Sequence, residues 1–322
     1  MRTAHGIVAL LGSAILVACR AEPDRVVFPL RAERFAGSEW SEPVNLGAPI
    51  NSAANDMNPA LSPDELSLYF VSTRAGGFGN ADIWVSRRAS LDSPWGEPVN
   101  LGPGINGPGI DASPVLSIDG HLLFFSSDRA GGHGSNDIYV ARRADKSDDL
   151  GWGPAVNLGS DVNTADFEAG EFYLQSGEDG SANLYFSHGV NSVALDIYVA
   201  PISRDGETRG PAVLVAELSD PDPTVTDAHP SVRVDGREIY FYSNRAGGLG
   251  ASDLYRSSRR SVHDPWSPPE NLGAPLSTSA NEIQPTLSYS GRTLVFASNR
   301  PGGQGGTDIW MSTRTSSGKE VP

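Results

Sequence analysis

The sequence predicts an all-β chain: a five-bladed β-propeller of four-stranded antiparallel blades, its ring closed by the N-terminal strand. Three observations carry this. A unit of roughly 55 residues recurs along the chain. Each unit breaks into short β-branched and aromatic runs bounded by Gly, Pro, Asp and Asn, the pattern of successive hairpins. The repeat is also permuted at its ends, starting on a fourth strand and stopping after a third.

The first strand of each unit leads into a tight turn (Ser-Pro-Asp-Glu, Ser-Ile-Asp-Gly, Arg-Val-Asp-Gly or Ser-Tyr-Ser-Gly). A second strand follows, such as Leu68-Tyr-Phe-Val-Ser72, and then Arg-Ala/Pro-Gly-Gly-x-Gly. The third strand starts at the Asp of Asp-Ile/Leu-Trp/Tyr, which recurs at Asp82, Asp137, Asp196, Asp253 and Asp308, spaced 55, 59, 57 and 55 residues apart. The third unit is degenerate: its Gly-rich hairpin is replaced by Ser187-His-Gly-Val-Asn-Ser-Val-Ala-Leu195. The fourth strand comes from Trp40–Gly47, Trp95–Gly102, Trp152–Gly159 and Trp266–Gly273, with a weaker version at Gly210–Leu218. The chain therefore begins with a fourth-strand element and ends after Asp308-Ile-Trp-Met-Ser312. Pairing the two completes the last blade and leaves no open sheet edge.

Composition narrows the function classes. Gly 36 and Pro 24 among 322 residues mark a turn-rich globular chain, and Lys+Arg 24 against Asp+Glu 39 gives a net charge of −15. A phosphate-binding footprint is missing, so nucleic acid is not an expected partner. One cysteine excludes a disulfide framework and a Cys-built zinc site. The Gly-Gly-x-Gly runs precede strands, not helices, so they are not phosphate loops. No Gly-x-Ser-x-Gly elbow and no HxH or HxxxH pair occurs.

The N-terminus reads as an address. Arg2 and His5 precede the apolar run Ile7–Val17, which is too short to span a bilayer. Leu16-Val17-Ala18-Cys19 follows and resembles the lipobox of bacterial lipoproteins. The resemblance implies a signal peptide over 1–18, lipidation of Cys19, a tether over 19–38, the propeller over 39–314 and a tail over 315–322. With Arg at residue 20 it also implies an outer-membrane lipoprotein facing the periplasm or the cell surface, touching the membrane through its lipid only.

The repeats resemble the WD-like β-propeller repeats of TolB-type periplasmic proteins. The shared residues are Pro-x-hydrophobic-Ser-x-Asp-Gly, Leu-x-Phe-x-Ser-x-Arg and Gly-Gly-x-Gly-x-x-Asp-Ile-Tyr, over about residues 40–314. Five blades depart from the six of TolB proper. Propellers host many functions, so the resemblance implies a fold before an activity.

Candidate site residues fall at the start of each inner strand, as an acid, a spacer and a polar residue: Asp56-x-Asn58, Asp111-x-Ser113, Asp166-x-Glu168, Asp227-x-His229 and Glu282-x-Gln284. Residues two apart share a face of an extended chain, so both members should face one mouth of the central channel. Two readings stand side by side. The acids could bind a ligand, or they could accept backbone N–H bonds or pair with an Arg of a neighbouring blade. Arg74, Arg129, Arg245 and Arg300 are expected to staple their hairpins to Asp82, Asp137, Asp253 and Asp308, and the repeating tryptophans to act as packing anchors.

The expected function is a non-enzymatic binding or scaffold module for an envelope protein, peptide or glycan at an acidic channel mouth. The alternative is a glycan-active enzyme drawing an acid/base or nucleophile pair from the funnel carboxylates. No cofactor is expected beyond a Ca²⁺ ion that several ring carboxylates could bridge.

Overall fold

A computed structural model describes residues 39–176 and 179–315. The expected signal peptide, Cys19, the expected tether and all of the expected tail but residue 315 lie outside the described residues.

Twenty strands form five four-stranded antiparallel sheets. From the channel outwards, blade 1 holds β2 (Asp56–Leu61), β3 (Ser67–Ser72), β4 (Asp82–Arg87) and β5 (Val99–Asn100). Blade 2 holds β6 (Asp111–Leu116), β7 (Leu122–Ser127), β8 (Asp137–Arg142) and β9 (Val156–Asn157). Blade 3 holds β10 (Phe167–Gln175), β11 (Ala182–Asn191), β12 (Ala194–Pro201) and β13 (Val213–Leu214). Blade 4 holds β14 (Asp227–Val232), β15 (Glu238–Ser243), β16 (Asp253–Ser258) and β17 (Glu270–Asn271). Blade 5 holds β18 (Glu282–Leu287), β19 (Thr293–Ser298), β20 (Asp308–Thr313) and, from the other end of the chain, β1 (Val44–Asn45).

Packing explains the strand composition. A blade between two others is covered on both faces, so its second strand is buried along its whole length, as in Ser67-Leu-Tyr-Phe-Val-Ser72 and Thr293-Leu-Val-Phe-Ala-Ser298. Four of the short outer strands keep one exposed residue each, among them Val44, Val99 and Val156, and the outer strand of blade 3 exposes both Val213 and Leu214.

The Gly-rich hairpin is built around the aspartate that begins the third strand. Asp82 accepts the backbone N–H groups of Phe78 and Gly79 and the Asn100 side-chain amide of the fourth strand. A Cβ at Gly77 would lie 2.0 Å from the Asp82 carboxylate, and one at Gly79 2.2 Å from the Gly109 carbonyl of the next blade. The two glycines thus admit the carboxylate and let one blade press on the next. Asp137, Asp253 and Asp308 repeat the arrangement. These aspartates do not pair with Arg74, Arg129, Arg245 or Arg300, contrary to the expected staple.

At the opposite, lower mouth the repeating tryptophans carry arginines. Arg88, Arg143, Arg259 and Arg314 lie over Trp95, Trp152, Trp266 and Trp40 at 4.4, 4.4, 4.1 and 4.8 Å. Each guanidinium also donates to a turn carbonyl: Glu65, Gly120, Gly236 or Gly291. Arg314 in addition reaches Glu238 at 2.8 Å and the Tyr240 hydroxyl at 2.9 Å, across the seam to blade 4.

Ring closure is direct. Val44 pairs with Met311 and Asn45 with Trp310, and an isolated bridge joins Trp40 to Arg314. Asn51, 2% exposed, exchanges two hydrogen bonds with the Ile309 backbone at 2.8 and 2.9 Å. Trp40→Ala should therefore cost about 2–3 kcal/mol, the scale of a truncated, partly buried aromatic. A melting temperature several degrees lower in calorimetry, without loss of the β-sheet spectrum, is the expected outcome.

Candidate ligand-binding mouth

The five inner strands all start at the upper mouth. There Asp56, Asp111, Asp227 and Glu282 are at most 1% exposed, and each is held by the arginine that follows the second strand of its own blade. Arg74 meets Asp56 at 2.7 Å, Arg129 meets Asp111 at 2.6 Å, Arg245 meets Asp227 at 2.5 Å and Arg300 meets Glu282 at 3.1 Å. The partner comes from the same blade, not a neighbouring one. Each carboxylate also collects loop donors, as Asp56 does from the N–H and hydroxyl of Ser52 at 2.6 and 2.8 Å, and Glu282 from those of Thr278 at 2.8 and 2.7 Å. Each guanidinium lies over two aromatic rings, for Arg129 Phe125 and Tyr139, both at 4.9 Å. A buried charge answered this fully belongs to the scaffold.

The acids therefore do not form an open ring, and the acid and polar members do not share a face. The inner strand bulges between them. Asn58, Ser113, His229 and Gln284 adopt φ of 48, 54, 52 and 55°, and the strand register shifts at each. The bulge turns these four side chains into the channel while the acid stays inside the blade. Asn58 donates to Ser113 Oγ at 3.2 Å, and its backbone N–H donates to Gln284 Oε1 at 3.0 Å. Its amide nitrogen lies 3.4 Å from His229 Nδ1. Burial holds the His229 imidazole down at about 4, so it is neutral at pH 7.

Blade 3 corrects the assignment of Asp166 and Glu168. Pairing of β10 with β11 places Glu168 opposite His188, as Asp56 stands opposite Ser72. Glu168 is therefore the strand-start acid and Gly170 the bulge residue, while Asp166 lies in the preceding loop. A Cβ on Gly170 would sit 2.8 Å from the His229 ring, and its φ is +63°, so the imidazole of blade 4 occupies the space a side chain would need. Spacing from the fourth-strand glycine held this signal: the acid follows Gly47, Gly102, Gly159 and Gly273 by nine residues each time.

The same register puts His188 where blade 1 has Ser72 and Val190 where it has Arg74, so blade 3 lacks the guanidinium. His188 Nδ1 replaces it, 2.8 Å from Glu168 Oε1, which also accepts the Thr164 hydroxyl at 2.6 Å. Glu168 Oε2 is buried without a hydrogen-bond partner. The bond to Glu168 raises the pKa of His188, and the ring packs edge-on to Tyr198 at 4.8 Å. Asp196, at the hairpin-aspartate position, has no Gly-rich hairpin to hold. Burial raises its pKa, with nearby Asp227 and Asp220 adding to the effect.

Charge distribution singles out the same sector. Residues 147–232 contain fifteen Asp and Glu but only two Arg and no Lys, which accounts for thirteen of the chain's fifteen net negative charges. Asp161, Asp166, Asp196, Glu217, Asp220 and Asp222 all lie in loops or strand ends of its upper mouth, none of them buried. The sequence reading missed this concentration, although a window of charge along the chain displays it. Among the described residues no group of three or more His, Cys, Asp or Glu is placed to share a metal ion. The carboxylates expected to bridge Ca²⁺ are instead each held within their own blade.

No family model matches the chain, and no curated protein matches it. Solved structures match it in shape. A thermostable family-43 glycoside hydrolase is 16% identical, covering 85% of this chain and 96% of its own, with a TM-score of 0.57. An α-L-arabinofuranosidase from Lactobacillus brevis is 13% identical over 85% of this chain and 97% of its own, with a TM-score of 0.59. A putative TolB from Agrobacterium tumefaciens is 19% identical over 81% and 78%, with a TM-score of 0.47. The likeness to the first two shows a common fold alone.

His188 should titrate above the ordinary imidazole value of about 6.5, and Glu168→Gln should bring it down. The imidazole resonances of the two proteins, followed by NMR across pH, check this. An unchanged His188 titration in the variant would mean that the Glu168 contact does not control it.

Proposed function

We propose that the chain is a binding module that docks a positively charged segment of a cell-envelope protein at its upper mouth, over blade 3, and carries out no chemistry there. One observation carries the reading: nearly all of the net negative charge lies in one sector, and that sector's mouth has no arginine or lysine to offset it. Elsewhere at this mouth the strand-start acids are spent on scaffold ion pairs and the hairpin aspartates on backbone N–H groups. A focused field of one sign accelerates capture of an oppositely charged partner and selects against others. The lipobox-like Leu16-Val17-Ala18-Cys19 supports an envelope location for both partners.

Glycoside hydrolysis is the second reading, favoured by Glu168, whose Oε2 is unpartnered, beside His188. Such enzymes need two carboxyl groups in environments that separate their pKa values. Four of the five strand-start acids are held alike by arginine. The arabinose-releasing activity in the neighbour's name belongs to that protein.

The triple variant Asp166→Asn, Asp196→Asn, Glu217→Gln should bind an immobilised basic decapeptide about tenfold more weakly at low salt, with a shallower salt dependence. A lower-mouth control, Asp205→Asn with Glu207→Gln, should match wild type in the same assay. Equal losses in both proteins would contradict docking at the upper mouth. Release of arabinose from arabino-oligosaccharides, abolished by Glu168→Gln, would establish the enzyme instead.

A further inference from the structure

Two departures from the repeat meet at the upper mouth, on the seam between blades 3 and 4. The first is the β11–β12 hairpin. Its strands run on until Asn191 faces Ala194 across a two-residue turn, Ser192-Val193. No Gly-Gly-x-Gly run folds back here on an aspartate. Val190, which stands where blade 1 has Arg74, is 73% exposed, and Val193 is 68% exposed. They are the two most exposed large apolar side chains among the described residues.

The second departure is the loop from β13 to β14. In blades 1, 2 and 5 the strand-start acid accepts a backbone N–H from the fourth residue before it: Ser52 to Asp56, Gly107 to Asp111 and Thr278 to Glu282. In blade 4 the N–H comes from the seventh, Asp220 to Asp227 at 2.8 Å. Three additional residues therefore lie within Pro221-Asp222-Pro223-Thr224-Val225, and the first four of that run are exposed. Each proline fixes its own φ. Asp222 accepts the N–H and hydroxyl of Thr224 at 2.9 and 2.8 Å.

A hydrogen bond joins the two segments. The Thr226 hydroxyl, just beyond the insertion, donates to the Val193 carbonyl at 2.5 Å, and Asn191 Oδ1 accepts the Val193 N–H at 2.9 Å. The hairpin tip is thus held on both sides before a partner arrives, which lowers the ordering cost of binding. Single exposed apolar residues are ordinary on a protein surface. Here two valines and two prolines belong to the two segments that leave the repeat geometry and touch one another. The acidic residues of the sector lie among them: Asp196 follows Val193 by three residues, and Asp222 stands between the prolines.

We propose that this seam anchors the docked segment, and that the segment presents bulky aliphatic side chains bracketed by lysine or arginine. Val190, Val193, Pro221 and Pro223 receive the aliphatic groups, and Asp196 and Asp222 their basic neighbours. The proposal rests on the docking reading above and specifies what the segment carries besides charge. Charge complementarity selects this occupant. An anionic bilayer is repelled by the acidic mouth, and so is the like mouth of a second copy. Charge alone would bring any basic chain to the sector and would fade with salt. Apolar contact adds affinity that salt does not screen, so the combination discriminates among basic partners.

The test titrates the full chain with two blocked, lysine-rich decapeptides of equal charge, one carrying two leucines and the other two serines at the same places. Wild type should bind the leucine peptide about tenfold more tightly, the scale of partly burying two aliphatic side chains. That preference should persist at about 0.5 M salt. Val190→Ser with Val193→Ser should bind the two peptides alike, with its affinity for the serine peptide unchanged. Both valines are exposed, so this variant should melt within about 2 °C of wild type. The triple variant Asp166→Asn, Asp196→Asn, Glu217→Gln should weaken both peptides and keep the leucine preference.

Equal affinity of wild type for the two peptides, or a leucine preference that survives in the valine variant, would overturn the anchor. If the triple variant still weakens both peptides in that case, docking stands and the anchor falls. No binding of either peptide would remove the docking reading and the anchor with it. Self-association, or flotation with phosphatidylglycerol vesicles, seen in wild type and lost in the valine variant would assign the seam to a second copy or to a bilayer, and would overturn the anchor as well.

Discussion

Each blade begins with a carboxylate removed from water, and the ring depends on how that charge is answered. A side chain such as Asp56 ties the preceding loop, through Ser52, to the start of the inner strand. Arg74 then links that start to the end of the second strand and covers two aromatic rings. One ion pair thus fixes loop, inner strand and hairpin together, and four blades repeat it. Breaking such a pair leaves an uncompensated buried charge, which is why the interaction is costly to lose even where its net contribution is modest. At the lower mouth the stacked Arg and Trp pairs perform the corresponding task between turns and outer strands.

A scaffold this repetitive makes its exceptions informative. Blade 3 gives up the arginine, the Gly-rich hairpin and the proline that follows the bulge in the other blades, and gains His188, Val190, Gly170 and Glu171 in their places. These changes are coupled in space. Gly170 leaves room for the His229 ring of blade 4, and His188 stands in for the missing guanidinium beside Glu168. Two buried carboxyl groups, Glu168 and Glu171, retain unpartnered oxygens, and both belong to this blade. Local polar groups left unsatisfied within an otherwise self-consistent structure are where function is expected.

The architecture was legible in the sequence because it is written five times. Strand number, blade count and ring closure follow from the Asp-Ile-Trp/Tyr spacing and the permuted ends. The site was less legible, for reasons specific to its residues. Bulges at Asn58, Ser113, His229 and Gln284 break the two-residue alternation that would have kept acid and polar residue on one face. The connection between the third and fourth strands of blade 2 (residues 143–155) is two residues longer than that of blade 1 (88–98), so a fixed spacing of 55 landed on Asp166 instead of Glu168. Glu171 went unnoticed because only the registered strands show that it occupies a proline position.

The account's central claim is that the repeated acids build the ring while the exceptional blade binds. The most direct measurement compares Asp111→Asn with the triple variant Asp166→Asn, Asp196→Asn, Glu217→Gln in parallel, by thermal melting and by affinity for one basic decapeptide. The account predicts that Asp111→Asn lowers the melting temperature and leaves affinity nearly unchanged, while the triple variant weakens binding with little effect on melting. A triple variant that binds normally, or an Asp111→Asn protein that melts normally but no longer binds, would contradict it.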